Sequence, residues 1–196
     1  MASEIKANKI SPATGTAFTI GDSGDTFTVP SGATIVNSGT ATGFGGGLYE
    51  SIAIISDDKA HNVNGQGIAL GAWRTRDLNT EVIDADGIVS ISANQFTLDA
   101  GTYTIEWFTM GCYIGTHVTR LYNITDSSET GWGSQPVGYA NTGSDSSGMT
   151  VTTIAGSKVF ELQHRCDTTN SIGGGAAQGH AGVTNRWATI KILKHS

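Results

Sequence analysis

The stretch from Asn94 to Trp107, NQFTLDAGTYTIEW, decides the fold. Gln95 to Leu98 reads as a strand, Asp99-Ala100-Gly101 as a turn, and Thr102 to Ile114 as a second strand. Within that second strand Tyr103, Ile105 and Trp107 fall on one face, the period-2 signature of a half-buried strand. A second clear alternation runs from Lys158 to Cys166. There Phe160, Leu162, His164 and Cys166 share one face, while Glu161, Gln163 and Arg165 share the other. Further strands are expected over Glu50 to Ser56, Gly67 to Thr75, Gly87 to Ala93, Val118 to Thr125, Thr150 to Ile154 and Trp187 to Leu193. No segment keeps a helical period over ten residues. Eight or nine strands after Tyr49 predict an all-β, two-sheet jelly-roll sandwich.

Composition agrees. The 196 residues contain 27 Gly and only 14% charged residues, and Thr, Ser and Asn abound where helix formers are scarce. The net charge is −6 with no basic cluster, so no nucleic-acid partner is expected. The longest apolar run, Ile52 to Ile55, is far below the roughly 20 residues of a membrane span, so no membrane insertion is expected. The N-terminus MASEIKANKI lacks the apolar core of a secretory leader, which predicts a product that stays in the cytoplasm where it is made. Cys112 and Cys166 lie in apolar strand-like runs and are expected as buried free thiols.

Residues 14 to 47 behave differently. Phe18-Thr19-Ile20, Phe27-Thr28-Val29 and Thr34-Ile35-Val36 recur between turns at Gly21 to Gly24, Pro30 to Gly32 and Asn37 to Gly39. Strands this short cannot cover their apolar side within one chain, so a multi-chain stalk is expected. The Gly43-Phe44-Gly45-Gly46-Gly47 break sets the boundary between a segment 1–46 and a domain 47–196.

Both parts carry a resemblance. The run SPATGTAFTIGDSGDTFTVPSGATIVNSGTATGFG, residues 11–45, is similar to an N-terminal module of marine bacteriophage structural proteins, often tail-fibre or virion proteins. NQFTLDAGTYTIEW, RLYNITDSS, SKVFELQHRCDT and the terminal RWATIKILKH resemble core strands of the C1q/TNF-like jelly rolls, above all those at phage fibre tips. The first resemblance implies attachment to other virion proteins through the N-terminal segment. The second implies a homotrimer. Together they imply a fibre or spike on the virion, assembled in the host cytoplasm and binding a host cell-surface glycan or protein. A capsid decoration or head-fibre protein is the alternative, and a glycan-degrading tailspike enzyme a lesser one.

No catalytic, cofactor-binding or metal-ligating set is expected. Gly21-Asp22-Ser23-Gly24-Asp25 has no histidine before it and sits in a repeat, so it reads as a turn. Asp84-Ala85-Asp86-Gly87 begins like a calcium loop, but Ile88 and Gln95 occupy its fifth and twelfth positions, which again leaves a turn. No carboxylate pair can be placed as acid and base; Glu106 and Glu161 merely lie on strands. Of the histidines, only His117 and His164 lie where a trimer axis could gather three imidazoles; core or interface packing is their default. Recognition is expected on two long loops. One is Ser127 to Gly148, with Trp132, Tyr139 and Asp145. The other is Asn170 to Thr184, with Gly174 and His180.

Overall fold

The computed structural model of the chain describes residues 14–15, 19–36, 38, 48–138, 142–177 and 179–196. The chain divides into two units, Met1–Phe44 and Gly45–Ser196.

In the first unit, the described residues form two turns and no strand. Asp25 N donates to Asp22 O at 3.0 Å, and Ala33 N to Pro30 O at 3.0 Å. The turns expected at Gly21 to Gly24 and Pro30 to Gly32 are therefore present. The short strands expected between them are not formed where described. Ile20, Phe27, Val29, Ile35 and Val36 are all exposed, because two or three residues gain too little from one chain to hold a ladder. Phe18, Asn37, Gly39 and the Gly43 to Gly47 break lie outside the described residues.

The second unit is all β. Its strands are β1 (Tyr49–Lys59), β2 (Arg74–Thr75), β3 (Thr80–Asp84), β4 (Ser90–Ser92), β5 (Gln95–Leu98) and β6 (Gly101–Cys112). They continue with β7 (Gly115–Asn123), β8 (Ser128–Trp132), β9 (Val137–Gly138), β10 (Gly143–Ile154), β11 (Lys158–Cys166) and β12 (Asn185–His195). Five form one sheet in the order β10-β6-β12-β1-β3. The other sheet runs β4-β5-β11-β7-β8, with β2 beside β11 and β9 beside β7. Every pairing is antiparallel.

The two alternations read from sequence carry the core. Tyr103, Ile105 and Trp107 on β6 are at most 3% exposed, as are Phe160 and Leu162 on β11. They meet Phe96, Leu98 and Leu121 from the seven-stranded sheet and Ile55, Ile190 and Ile192 from the five-stranded one. Phe96 and Phe160 stack at 5.6 Å between centroids. Burial of this apolar set, at about 25 cal/mol per Å2, is the main stabilising term.

Two expected features differ, and one strand was not expected. Gly67 to Thr75 is a strand only at Arg74–Thr75. The preceding residues instead lace onto the loop after β11, where Ile68 and Asn170 exchange backbone hydrogen bonds at 2.9 Å and Gly174 N donates to Gln66 O at 2.8 Å. A Cβ on Gly65 would lie 2.6 Å from the Gly174 backbone, so the two segments approach as only glycine allows. Where described, Ser127 to Gly148 is mostly strand, taken up by β8, β9 and the first half of β10. Its Ser and Gly content disguised it, because the β6–β10 ladder selects backbone pairing more than side-chain burial. The unforeseen β3 pairs with β1 at the sheet edge.

One end of the sandwich interior is polar. Asp57, Ala188, Thr109 and Ser146 form one cross-strand row of the five-stranded sheet. Opposite them lie His117, Thr119 and His164, all at most 1% exposed, together with the fully buried Arg76.

Candidate functional site

The outer face of the seven-stranded sheet brings aromatic rings, a guanidinium and a carboxamide together. Register places Gln163 of β11 opposite Arg120 of β7, and Arg120 opposite Trp132 of β8. The adjacent row is Glu161, Tyr122 and Glu129. Alternation sends all six side chains away from the core, because Leu162 and Leu121 between them point inward and are fully buried. Thr75 of β2 extends the first row beyond Gln163.

A continuous network holds this face in one arrangement. Arg120 Nε donates to Gln163 Oε1 at 2.6 Å, and Nη1 donates to Glu129 Oε1. Gln163 Nε2 donates to Glu161 Oε1. Thr75 Oγ1 and Gln95 Nε2 donate to Glu161 Oε2 at 2.9 and 3.2 Å. Glu161 therefore accepts three bonds and is 6% exposed, an arrangement that fixes it as an anchor of the network. The guanidinium carbon of Arg120 lies 4.2 Å from the Trp73 ring centroid and 4.6 Å from that of Tyr122. Trp73 meets Trp132 edge-on at 5.5 Å. Trp132 remains 50% exposed at the sheet edge.

Beside this platform lies a cleft of about 500 Å3. Arg165 and Val118, an opposed pair two residues further along β11 and β7, line it with Leu70, Gln135 and Asp167. The step along the strands from the Gln163–Arg120 row is about 7 Å. Arg165 is exposed and has no ion-pair partner among the described residues.

The five-stranded sheet presents a different surface. Its outward positions include Ile52, Ile83, Phe108, Met149 and Val151, exposed by 39–65%. Among them sits the Lys191–Glu106 pair at 3.1 Å. These large apolar side chains gather on the outer face of one sheet.

The expected recognition residues scatter over these features. Trp132 joins the aromatic platform. Asp145 lies on β10 and shares the outward parity of Met149 and Val151, so it belongs to the five-stranded sheet's surface; burial raises its carboxyl above the ordinary range. Gly174 is buried, its carbonyl accepts from Arg76 Nη2 at 2.9 Å, and a Cβ there would meet Arg76 Nη1 at 2.4 Å. It shapes the interior and is not presented to solvent. His180 is exposed in a turn closed by Val183 N to His180 O at 3.3 Å. Tyr139 lies outside the described residues. Trp73, Arg120, Tyr122 and Gln163 were not anticipated. The alternation in Arg120-Leu121-Tyr122 was visible in the sequence, but the register that aligns it with Gln163 and Trp132 was not.

The histidines form no axial cluster. His164 Nε2 lies 2.8 Å from His117 Nδ1, and His117 Nε2 lies 2.9 Å from Ser144 Oγ. Both rings face the space between the sheets, so neither reaches an outer surface where three chains could meet. Burial, reinforced by the Arg76 charge, holds His117 down to about 4 and His164 lower still. Arg76 donates to the carbonyls of Gly174 and Trp187, at 2.9 and 3.2 Å. Among the described residues its Nε and Nη1 have no hydrogen-bond partner, and neither do Asp57 Oδ2, Thr109 Oγ1 and His164 Nδ1. Asp84 spends its carboxylate on Ile88 N and Val89 N, at 2.9 and 3.1 Å, which makes the calcium-like stretch a turn. Among the described residues no three His, Cys, Asp or Glu side chains gather as metal ligands. Cys112 and Cys166 are buried free thiols.

No described protein family and no curated protein matches the chain. Solved structures do resemble it. Murine APRIL at pH 5.0 aligns with a TM-score of 0.50 at 8% identity, over 74% of this chain and 98% of that one. The globular domain of zebrafish complement 1qA aligns at 0.47 and 16% identity, over 73% and 95%. At these identities the likeness concerns architecture: the second unit is a C1q/TNF-like jelly roll.

Proposed function

We propose that the chain is a non-enzymatic virion protein of a bacteriophage, a homotrimeric fibre or spike that displays a jelly roll to the host cell surface. Residues 1–46 position it on other virion proteins, and the jelly roll supplies self-association and recognition. The observation that carries the reading is the outward face of the five-stranded sheet. Ile52, Ile83, Phe108, Met149 and Val151 stand exposed on a domain whose other sheet already provides a polar outer face. Closed self-association covers such a patch in every copy at once. The C1q/TNF-like fold supports three copies, and the resemblance of residues 11–45 to a phage module supports the virion. Three weak sites per trimer, on a particle bearing many trimers, give avidity through effective concentration.

Sedimentation equilibrium tests this. A trimer is expected, and Met149→Lys with Phe108→Asp should yield a folded monomer. A wild-type monomer at micromolar concentration would refute the assembly. The capsid-decoration alternative separates by copy number in purified virions. A few tens of chains fit a tail fibre, and hundreds fit the head.

A further inference from the structure

The polar outer face of the seven-stranded sheet has a direction. At one end Trp132 stands half exposed beside Trp73. In the middle Arg120 is clamped between the rings of Trp73 and Tyr122 and tied to Gln163 and Glu129. At the other end the cleft of about 500 Å3 holds the exposed, unpaired Arg165 beside Val118, Leu70 and Gln135. A ring on which an apolar face can stack, followed two strands across and about 7 Å along by an unpaired cation, with a carboxamide in the same cleft, reads a particular chemistry. Sugar rings offer C–H faces to aromatic side chains and hydroxyls to carboxamides. A carboxylated, sulfated or phosphorylated sugar also offers an anion to a guanidinium.

Charge makes the assignment sharper. The chain carries −6 overall, with five arginines. Arg76 is buried, Arg120 and Arg186 are paired with Glu129 and Asp58, and Arg74 is exposed without an ion pair among the described residues but does not line the cleft. Arg165 is left unpaired at the mouth of a cleft, whose one carboxylate, Asp167, accepts from Thr168 Oγ1 at 3.1 Å. The platform beside it is pre-ordered, because Gln163, both oxygens of Glu161 and Nε and Nη1 of Arg120 have their partners in place. Little side-chain freedom is then lost when a ligand lands.

We infer that the groove from Trp132 and Arg120 to Arg165 and Gln135 binds an anionic oligosaccharide, with one sugar ring against Trp132 and an acidic group on Arg165. The inference rests on the host-surface reading above. The groove lies within one protomer, however, so it does not need the trimer.

The test uses the full chain and four anionic tetrasaccharides: a uronate, a sialate, a sulfated galactan fragment and a glycerol-phosphate-linked sugar. Each is paired with its neutral counterpart, and polyglutamate serves as a non-sugar anion. Saturation-transfer NMR and titration calorimetry are the readouts. At least one anionic sugar should bind at least tenfold more tightly than its neutral counterpart, and more weakly as salt rises. Arg165→Gln should remove that preference and leave residual neutral binding. Trp132→Ala should weaken both by about tenfold or more. Circular dichroism should show both variants folded, since neither side chain lies in the core. Equal binding of charged and neutral sugars would overturn the anionic class. Binding of polyglutamate as tight as any sugar would overturn the sugar class. No binding of any probe, or protection of Trp132 from solvent quenchers in the assembled protein, would overturn the groove. A monomer that binds the sugar would sink the trimeric assembly alone, and a trimer that binds none would sink the groove alone.

Discussion

Acidification should destabilise this fold before most of its carboxylates titrate, because of the buried pair His117 and His164. With Nε2 of one ring 2.8 Å from Nδ1 of the other, a single proton occupies the bond between them. Adding a proton to either ring puts a second positive charge near Arg76, which forms no salt bridge among the described residues. Burial is the larger cause of the low folded pKa of each ring, and the Arg76 charge comes next. His117 sits at about 4 when folded, and His164 lower. In the unfolded chain both titrate near the ordinary value of about 6.5. Between those values the unfolded chain binds more protons, so stability falls as pH falls. From pH 7.5 to 5 the loss is about 2 kcal/mol for one histidine and about 4 kcal/mol for both. Against a typical total of about 5–15 kcal/mol this is a large fraction.

Urea unfolding at pH 7.5, 6.5, 5.8 and 5.0 reads the effect, alongside NMR titration of the two imidazoles. Wild type should lose about 4 kcal/mol across that range, and His164→Gln about 2. Arg76→Met should raise the folded pKa of His117 and flatten the slope. Asp57 works the other way. Burial raises its folded pKa, so its contribution is present at low pH and is lost as pH rises through that value. Comparison of variants therefore carries the test, and the range stops at pH 5. An equal loss in His164→Gln and wild type, or a folded His117 titrating near 6.5, would refute the reasoning.

Two packing predictions are simpler. A Cβ on Gly148 would lie 2.1 Å from Trp107 Cζ2, so Gly148→Ala should cost about 1–3 kcal/mol in urea unfolding and perturb Trp107 fluorescence. Leu162 is fully buried between the sheets, so Leu162→Ala should cost about 2–5 kcal/mol, while Trp132→Ala at the exposed edge should cost less than 1 kcal/mol; the reverse order would contradict the assigned faces.

The core strands were legible because their side chains alternate. Gln95–Leu98 and Lys158–Cys166 have the bounds the sequence implied, since a one-residue slip would turn Phe160 and Leu162 to solvent. The β8–β10 region was not legible. Met149 and Val151 point outward and Ser146 inward, so its hydrophobic pattern is inverted relative to the core and the run reads as a polar loop. The candidate site was legible in one residue. Trp132 stood out as an aromatic among Gly, Ser and Asn, but Arg120, Gln163 and Trp73 become a site only through pairings across 43 residues of chain in one case and the placement of a loop in the other. The polar interior was hidden for a similar reason. His164 and Cys166 alternate as core residues should, and nothing local reveals that His164 meets His117 and lies near Arg76.

That polar interior bears on where recognition can sit. Several buried donors and acceptors at one end of the sandwich lack hydrogen-bond partners among the described residues, including Arg76 Nε and Nη1, Asp57 Oδ2 and Thr109 Oγ1. Buried polar groups of this kind take up internal water or leave that end of the domain less stable than the apolar end. The Arg120 platform backs onto Leu162 and Leu121, which are fully buried at the apolar end. Its neighbour, the cleft around Arg165, backs onto His117 and Cys166 at the polar end. A ligand spanning both would therefore meet one preformed half and one compliant half. Hydrogen exchange can separate them: amides of β8 and the middle of β7 should exchange slowly with or without ligand, whereas those around Thr116 to Val118 and Arg165 to Asp167 should gain protection on binding and lose it as pH falls from 7.5 to 5. Uniform protection across both regions would mean that the interior polarity is fully satisfied by bound water and that the two ends of the site are equally stiff.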